Sequence, residues 1–274
     1  MEAWQATLLG LVEGLTEYLP VSSTGHLLIV QRALGIESSD ASNAFAICVQ
    51  AGAIVAVLGL YFARVRSMAL GLLGRDAEGR RLLITILAGF APAAVLGLLF
   101  NDWIEAHLFG WQPVAFALFA GGVGILLAER FRRRRRESKG GGVELDQLTW
   151  RMALLIGLFQ CVAMWPGTSR SLMTIVGGLL VGLRLRAAVE FSFLLGVVTL
   201  LAATGYSALK DGEVMLEAYG WSPIAIGFLT AWVAAVLSVK WMVGYLNRHG
   251  LGVFGWYRVA LALIVTALFG LAAD

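Results

Sequence analysis

Six apolar stretches, near 43–63, 82–100, 112–129, 188–208, 222–246 and 254–273, each approach or exceed the roughly 20 residues an α-helix needs to cross a bilayer. Soluble domains carry roughly 25% charged residues. Here Asp, Glu, Lys and Arg make up 14% of 274 residues, so the stretches are not the core of a soluble fold. Alternating ten-residue strands of the outer-membrane-barrel kind are not in the pattern. The expected fold is an all-α integral membrane protein with about six transmembrane helices. Met1-Glu2-Ala3-Trp4 has no basic n-region and no small-residue cleavage site follows, so a removable signal peptide is not expected. Cys48 and Cys161 lie in apolar segments without CxxC or histidine spacing and read as small buried hydrophobes.

Charge sets the topology. The segment Arg64–Arg81 carries Arg64, Arg66, Arg75, Arg80 and Arg81, and Arg130–Lys139 carries the run Arg132 to Arg136. Segments 101–111 and 210–221 are acidic or neutral, with flanking tryptophans. Positive-inside bias places 64–81, 130–151 and 247–252 in the cytoplasm. Beside a spanning helix the arginine run reads as a topology anchor, so nucleic acid is not an expected partner. The linker Glu37-Ser-Ser-Asp40 then lies outside, and 188–208 climbs outward from Arg184-Leu-Arg186.

Two long apolar stretches, 3–34 and 150–183, are each interrupted near the middle, by Pro20 and by Pro166-Gly167. The path that satisfies the charges makes each a re-entrant helix pair, the first entering from outside and the second from inside. Non-helical backbone at that depth requires surrounding protein or a water-filled cavity. The run Leu11-Val-Glu13-Gly-Leu-Thr-Glu17-Tyr-Leu-Pro20 resembles Leu158-Phe-Gln160-Cys-Val-Ala-Met164-Trp-Pro166, and Gly89-Phe90 is echoed by Gly227-Phe228. With opposite orientations this reads as a single membrane domain made of an inverted repeat, about 1–135 and 145–274. Such repeats bring broken helices together near the midplane.

Both interruptions are polar islands, and ionisable groups at membrane depth are costly enough to be functional by default. In the first, Glu13 and Glu17 are four residues apart, which on a helix puts both carboxylates on one face, their Cβ atoms about 6 Å apart. Like charges that close in low dielectric require a bound cation or a shared proton. The oxygen donors suit Mg²⁺ or Ca²⁺. Ser22, Ser23 and Thr24 follow Pro20, with His26 two residues on: a hydroxyl and an imidazole are the minimum set for a nucleophile and its base. They also cap a helix, whose N-terminus binds phosphate. In the second island Gly167 permits close backbone approach, Thr168, Ser169 and Ser171 bring hydroxyls, and Arg170 brings a bidentate fork for phosphate. A buried Arg170 requires a partner. Glu17 or Glu13 would make a structural salt bridge, and a phosphorylated ligand would make a binding site; the two readings fit free and bound states of one site.

The strings Glu13-x-x-x-Glu17, Pro20-Val-Ser-Ser-Thr-Gly-His26 and Pro166-Gly-Thr-Ser-Arg-Ser-Leu-Met-Thr174 resemble the undecaprenyl-diphosphate phosphatase family of the bacitracin-resistance type, along essentially the whole chain. The resemblance implies a metal-dependent membrane phosphatase. It would remove the terminal phosphate of undecaprenyl diphosphate and return the monophosphate carrier to cell-wall synthesis, conferring bacitracin resistance. It further implies a multi-pass protein of the bacterial inner membrane, in contact with bilayer lipid, with its site on the periplasmic or extracellular face; a homodimer is left open. Carried over by position, Glu13 and Glu17 match the acidic motif, His26 the essential histidine, and Ser23 the proposed nucleophilic or phosphate-contacting serine. Arg170 with Ser169, Ser171 and Thr174 matches the diphosphate-binding signature. Gln160 and Met164 stand where Glu13 and Glu17 stand in the first half, so the acidic chemistry is one-sided. The competing class is a secondary transporter or lipid-phosphate flippase with a midplane site. A transporter binds without turnover, whereas a phosphatase releases phosphate in detergent with no gradient.

Overall fold

A computed structural model describes residues 1–37, 39–138 and 142–270. Ser38 of the Glu37–Asp40 linker and Lys139 of the basic segment lie outside the described residues, as do the side chains of Asn101, Asp102, Glu105 and Arg132 to Arg136. The helices are α1 (Ala3–Thr16), α2 (Ser23–Ala33), α3 (Asp40–Leu60), α4 (Phe62–Leu72), α5 (Ala77–Leu108), α6 (Trp111–Ser138), α7 (Trp150–Val162), α8 (Arg170–Leu180), α9 (Leu185–Tyr219), α10 (Trp221–Arg248) and α11 (Gly252–Gly270). Among the described residues, six helices carry segments long and apolar enough to cross a membrane: Asp40–Leu60, Ala77–Phe100, Trp111–Arg130, Leu185–Tyr219, Trp221–Leu246 and Gly252–Gly270. They coincide with the six apolar stretches, and the chain is an all-α, multi-pass membrane protein. Large apolar side chains such as Leu98, Leu209 and Trp221 cover its outer surface, the expected arrangement where the solvent is lipid.

Two helices run further than the charge pattern predicts. α5 has 32 residues and α9 has 35, about 48 and 52 Å at 1.5 Å per residue, against a hydrocarbon core of about 30 Å. Segments 101–111 and 210–221 are therefore largely helical overhangs. α9 stops only where Gly220 adopts φ 69° and returns its N–H to the carbonyl of Leu216. The basic segment after α3 is not a bare loop either: α4 folds back on α5. Asp76 caps α5 by accepting from the Gly79 N–H (2.9 Å) and the Ser67 hydroxyl (2.7 Å), which hold its carboxyl below the usual range.

The four short helices build the site. α1, α2, α7 and α8 have 14, 11, 13 and 11 residues, about 17–21 Å each, too short to cross a bilayer singly. α1 packs on α2, and α7 on α8, so each polar island is the tip of a helix–break–helix unit. α1 lies along α10, and α7 along α5. Both contacts use a pair of glycines. A Cβ on Gly10 would stand 2.4 Å from the Gly227 carbonyl oxygen, and one on Gly157 would stand 2.3 Å from that of Gly89. Nothing larger than hydrogen lets these backbones meet. α3 and α9 pack along each other, with Ala53, Ile54, Val57, Phe191, Leu194 and Leu195 in one buried apolar core, and α6 pairs with α11.

Candidate active site

The tips are strained in the same way. Ser22 and Ser169 both adopt φ 74°, and among the described residues no other non-glycine has positive φ. Such a conformation costs about 1–3 kcal/mol and persists only where the surroundings enforce it. Each serine is the N-cap of the helix that follows. The Ser22 hydroxyl accepts from the Gly25 N–H (3.4 Å) and the Ser169 hydroxyl from the Leu172 N–H (3.3 Å). The N-terminal turns of α2 and α8 thereby face one meeting point, and the Ser171 hydroxyl crosses it to donate to the carbonyl of Leu19 (2.8 Å).

One hydrogen-bonded chain joins the islands. Arg170 Nη2 donates to Glu17 Oε1 at 2.7 Å, and the Ser23 hydroxyl donates to Glu17 Oε2. Glu17 thus links a cation from one half to a hydroxyl from its own. Arg170 Nη1 donates to the Ser192 carbonyl (3.0 Å), and the guanidinium lies 5.3 Å from the centroid of the Tyr18 ring. α9 makes room for it at Gly196, where a Cβ would stand 2.1 Å from Nη1. The pair is nearly buried, with 11% and 6% of the two side chains exposed. Either charge alone would be left uncompensated, at a cost of about 3–5 kcal/mol. Gly196→Ala is expected to expel the guanidinium and lower turnover by about 10²-fold. Turnover measured on protein that stays folded, with a thermal midpoint lowered by the broken pair, tests this.

Glu13 is fully buried one turn earlier, and neither of its carboxylate oxygens has a hydrogen-bond partner. An orphaned carboxylate beside Glu17 is the donor set that a hard cation fits. Among the described residues no group of three or more His, Cys, Asp or Glu could hold a metal; Glu13 and Glu17 are a pair.

Both ring nitrogens of His26 are engaged by groups other than Ser23. Its Nδ1 lies 2.7 Å from the Ser22 carbonyl and its Nε2 2.7 Å from the Tyr257 hydroxyl. A carbonyl only accepts, so Nδ1 carries the hydrogen. The acceptor that Ser23 meets is Glu17, not the imidazole. Other hydroxyls of the islands are engaged internally. Thr168 donates to the carbonyls of Trp165 (2.6 Å) and Val162 (3.1 Å), while Thr174 bonds the Arg170 carbonyl (2.9 Å) and the Ser192 hydroxyl (2.7 Å). Ser169 and Ser171 share a bond of 3.0 Å, and Thr24 is half-buried in the first turn of α2. Gly167, at φ 96°, lets its turn press on α6, where a Cβ would stand 2.7 Å from the Val114 carbonyl oxygen.

Five residues of the site lie outside both islands or were not singled out in them: Tyr18, Ser192, Gly196, Tyr257 and Arg258. Arg258 is fully buried and donates to the carbonyls of Pro20, Ala117 and Gly167. A lone charge in the apolar run 254–273 was its signal in the sequence.

Comparison with known proteins decides the family. The profile of the family described as bacitracin resistance protein BacA matches residues 6–264. The chain belongs to the BacA family. Its relatives include an undecaprenyl-diphosphatase of Sorangium cellulosum, 44% identical over 96% of this chain and 85% of that one. An undecaprenyl-diphosphatase of Methylococcus capsulatus is 44% identical over 98% and 96%, and one of Ectopseudomonas mendocina 43% identical over 98% and 95%. The BacA match spans both tips and also Tyr257 and Arg258 on α11.

Proposed function

We infer that this chain is an undecaprenyl-diphosphatase, an integral membrane hydrolase that converts undecaprenyl diphosphate and water to undecaprenyl phosphate and inorganic phosphate. The observation that carries the inference is the Arg170–Glu17–Ser23 chain, which joins residues 153 apart in sequence at the meeting of two helix N-termini. A phosphoryl group set there meets the positive ends of two helices, a guanidinium fork and a hydroxyl already bonded to a carboxylate.

The reaction runs in two steps. As a diphosphate enters, Arg170 exchanges part of its bond with Glu17 for the terminal phosphate. Ser23 Oγ attacks the terminal phosphorus, its proton passes to Glu17 Oε2, and the bridging P–O bond breaks to release undecaprenyl phosphate. Glu17 gives that proton to the departing undecaprenyl phosphate, then accepts one from the water that attacks the phosphoserine and returns it to Ser23 Oγ as inorganic phosphate leaves. Glu13 and Glu17 would hold a divalent cation, Mg²⁺ or Ca²⁺, which when bound neutralises charge on the diphosphate. The partnerless Glu13 oxygens support that assignment. His26, Ser22, Thr24, Gly167, Thr168, Ser169, Ser171 and Thr174 shape the cradle rather than break bonds.

The halves 1–135 and 145–274 form an inverted repeat, each contributing one re-entrant tip. The shared φ of Ser22 and Ser169 and the paired glycine contacts of α1 with α10 and of α7 with α5 support it. The basic segments support an inner-membrane protein whose site opens to the periplasm. Chelation of divalent cations is expected to lower phosphate release from a prenyl diphosphate at least tenfold in detergent, with recovery on adding Mg²⁺ or Ca²⁺. Undiminished release in chelator would remove the metal from the mechanism. Binding without release would favour a carrier.

A further inference from the structure

Two adjacent residues of α11 belong to neither island and touch both. Arg258 Nη2 donates to the carbonyls of Gly167 (2.6 Å) and Ala117 (3.0 Å), and Nη1 to that of Pro20 (3.4 Å). One guanidinium therefore joins the break of each tip to α6. α6 is notched to admit it: a Cβ on Gly121 would stand 2.3 Å from Nη2. All three partners are main-chain carbonyls. If only volume were wanted, an apolar side chain would fill it without the desolvation cost of a buried cation. What arginine adds is a rigid fork of donors that fixes three chain segments relative to one another.

Tyr257 does the same for the imidazole. With the hydrogen of His26 on Nδ1, facing the Ser22 carbonyl, Nε2 carries the lone pair and the Tyr257 hydroxyl donates to it at 2.7 Å. The two rings lie nearly parallel, 4° apart, with centroids 5.7 Å apart. His26 is thus held at both nitrogens, one end by its own tip and the other by α11.

We propose that Tyr257 and Arg258 form a positioning element of the active site. Arg258 sets the separation of the two tips, and so whether Arg170 reaches Glu17; Tyr257 sets the orientation and tautomer of His26. The proposal rests on the reading of the tips as the phosphatase site. Neither residue touches the reacting atoms; each acts through another.

Double-mutant cycles test that claim, because residues acting through a partner lose their effect when the partner is gone. The measurement is kcat and KM for phosphate release from a short prenyl diphosphate by the full-length protein in detergent. Tyr257→Phe is expected to lower kcat about tenfold, and by less than about twofold in a His26→Ala background. Arg258→Lys and Arg258→Met are expected to lower kcat about 10²-fold with KM within about threefold. In an Arg170→Lys background most of that loss should vanish. Full effects persisting in those backgrounds overturn the proposal and leave the two residues as ordinary packing. Wild-type turnover in Tyr257→Phe, where His26→Ala is impaired, overturns the proposal alone. Wild-type turnover in His26→Ala overturns both the proposal and the role given to His26. Should the Arg258 variants fail to fold, the half-exposed Tyr257 decides by itself.

Discussion

Arg170→Lys is expected to lower kcat for phosphate release by about 10³-fold or more, although the positive charge remains. Arginines that clamp a transferring phosphoryl group contribute about 10³–10⁵ in rate. Here the guanidinium also has its geometry set on three sides: Glu17 Oε1 at 2.7 Å, the Ser192 carbonyl at 3.0 Å and the face of Tyr18. An ammonium is a point donor on a flexible stem and cannot keep Glu17 and Ser192 together while reaching a phosphate oxygen. A conservative charge-preserving change therefore separates the fork from the charge. The protein should remain folded, because the ammonium can still neutralise Glu17 and avoid an unpaired buried carboxylate. Inorganic phosphate measured over time, beside a thermal midpoint in detergent, gives the answer. Turnover within tenfold of wild type would show that Arg170 is only a structural partner of Glu17.

The six spans were legible because each is a run of apolar residues near the length a bilayer demands, and the tips because carboxylates, a guanidinium and prolines stand out in such runs. The pairing of Arg170 with a glutamate of the other half was foreseeable for the same reason: a buried cation lacking a carboxylate in its own island must find one elsewhere. What sequence could not give is where a helix ends once it leaves lipid. Charge marks the water boundary, but α5 and α9 continue past it, and only a residue such as Gly220 in a left-handed turn stops the second of them. Nor could it give partners that are main-chain atoms. Arg258 was visible as a lone charge, yet its acceptors are the carbonyls of Pro20, Ala117 and Gly167, 238, 141 and 91 residues away. The small residues that admit each arginine, Gly196 and Gly121, look like any glycines of a membrane helix until the guanidinium is seen against them. Residue type likewise says that Thr168 and Thr174 can donate to phosphate; packing directs both hydroxyls to protein groups instead.

Glu17→Gln carries the second large effect, a fall in kcat of about 10³-fold, within the range of 10²–10⁴ typical of a positioned proton acceptor. The substitution is nearly isosteric, and its remaining carbonyl can still accept from Arg170. The atom facing Ser23, however, becomes an amide nitrogen that donates and cannot accept. The hydroxyl then has no base, while the cradle keeps its shape, so kcat should fall much more than KM rises. Ser23→Ala should cost a similar factor, and the double variant little more than either alone, since nucleophile and base act as one unit. Rapid acid quenching with substrate labelled in the terminal phosphate separates the routes to product. Label retained on wild-type protein and lost in Ser23→Ala identifies a phosphoserine, and Glu17→Gln should slow its appearance. Turnover with no protein-bound label at any time, and with Ser23→Ala impaired only in KM, would instead make water the nucleophile. Ser23 would then be a phosphate contact, and Glu17 the base that activates the water.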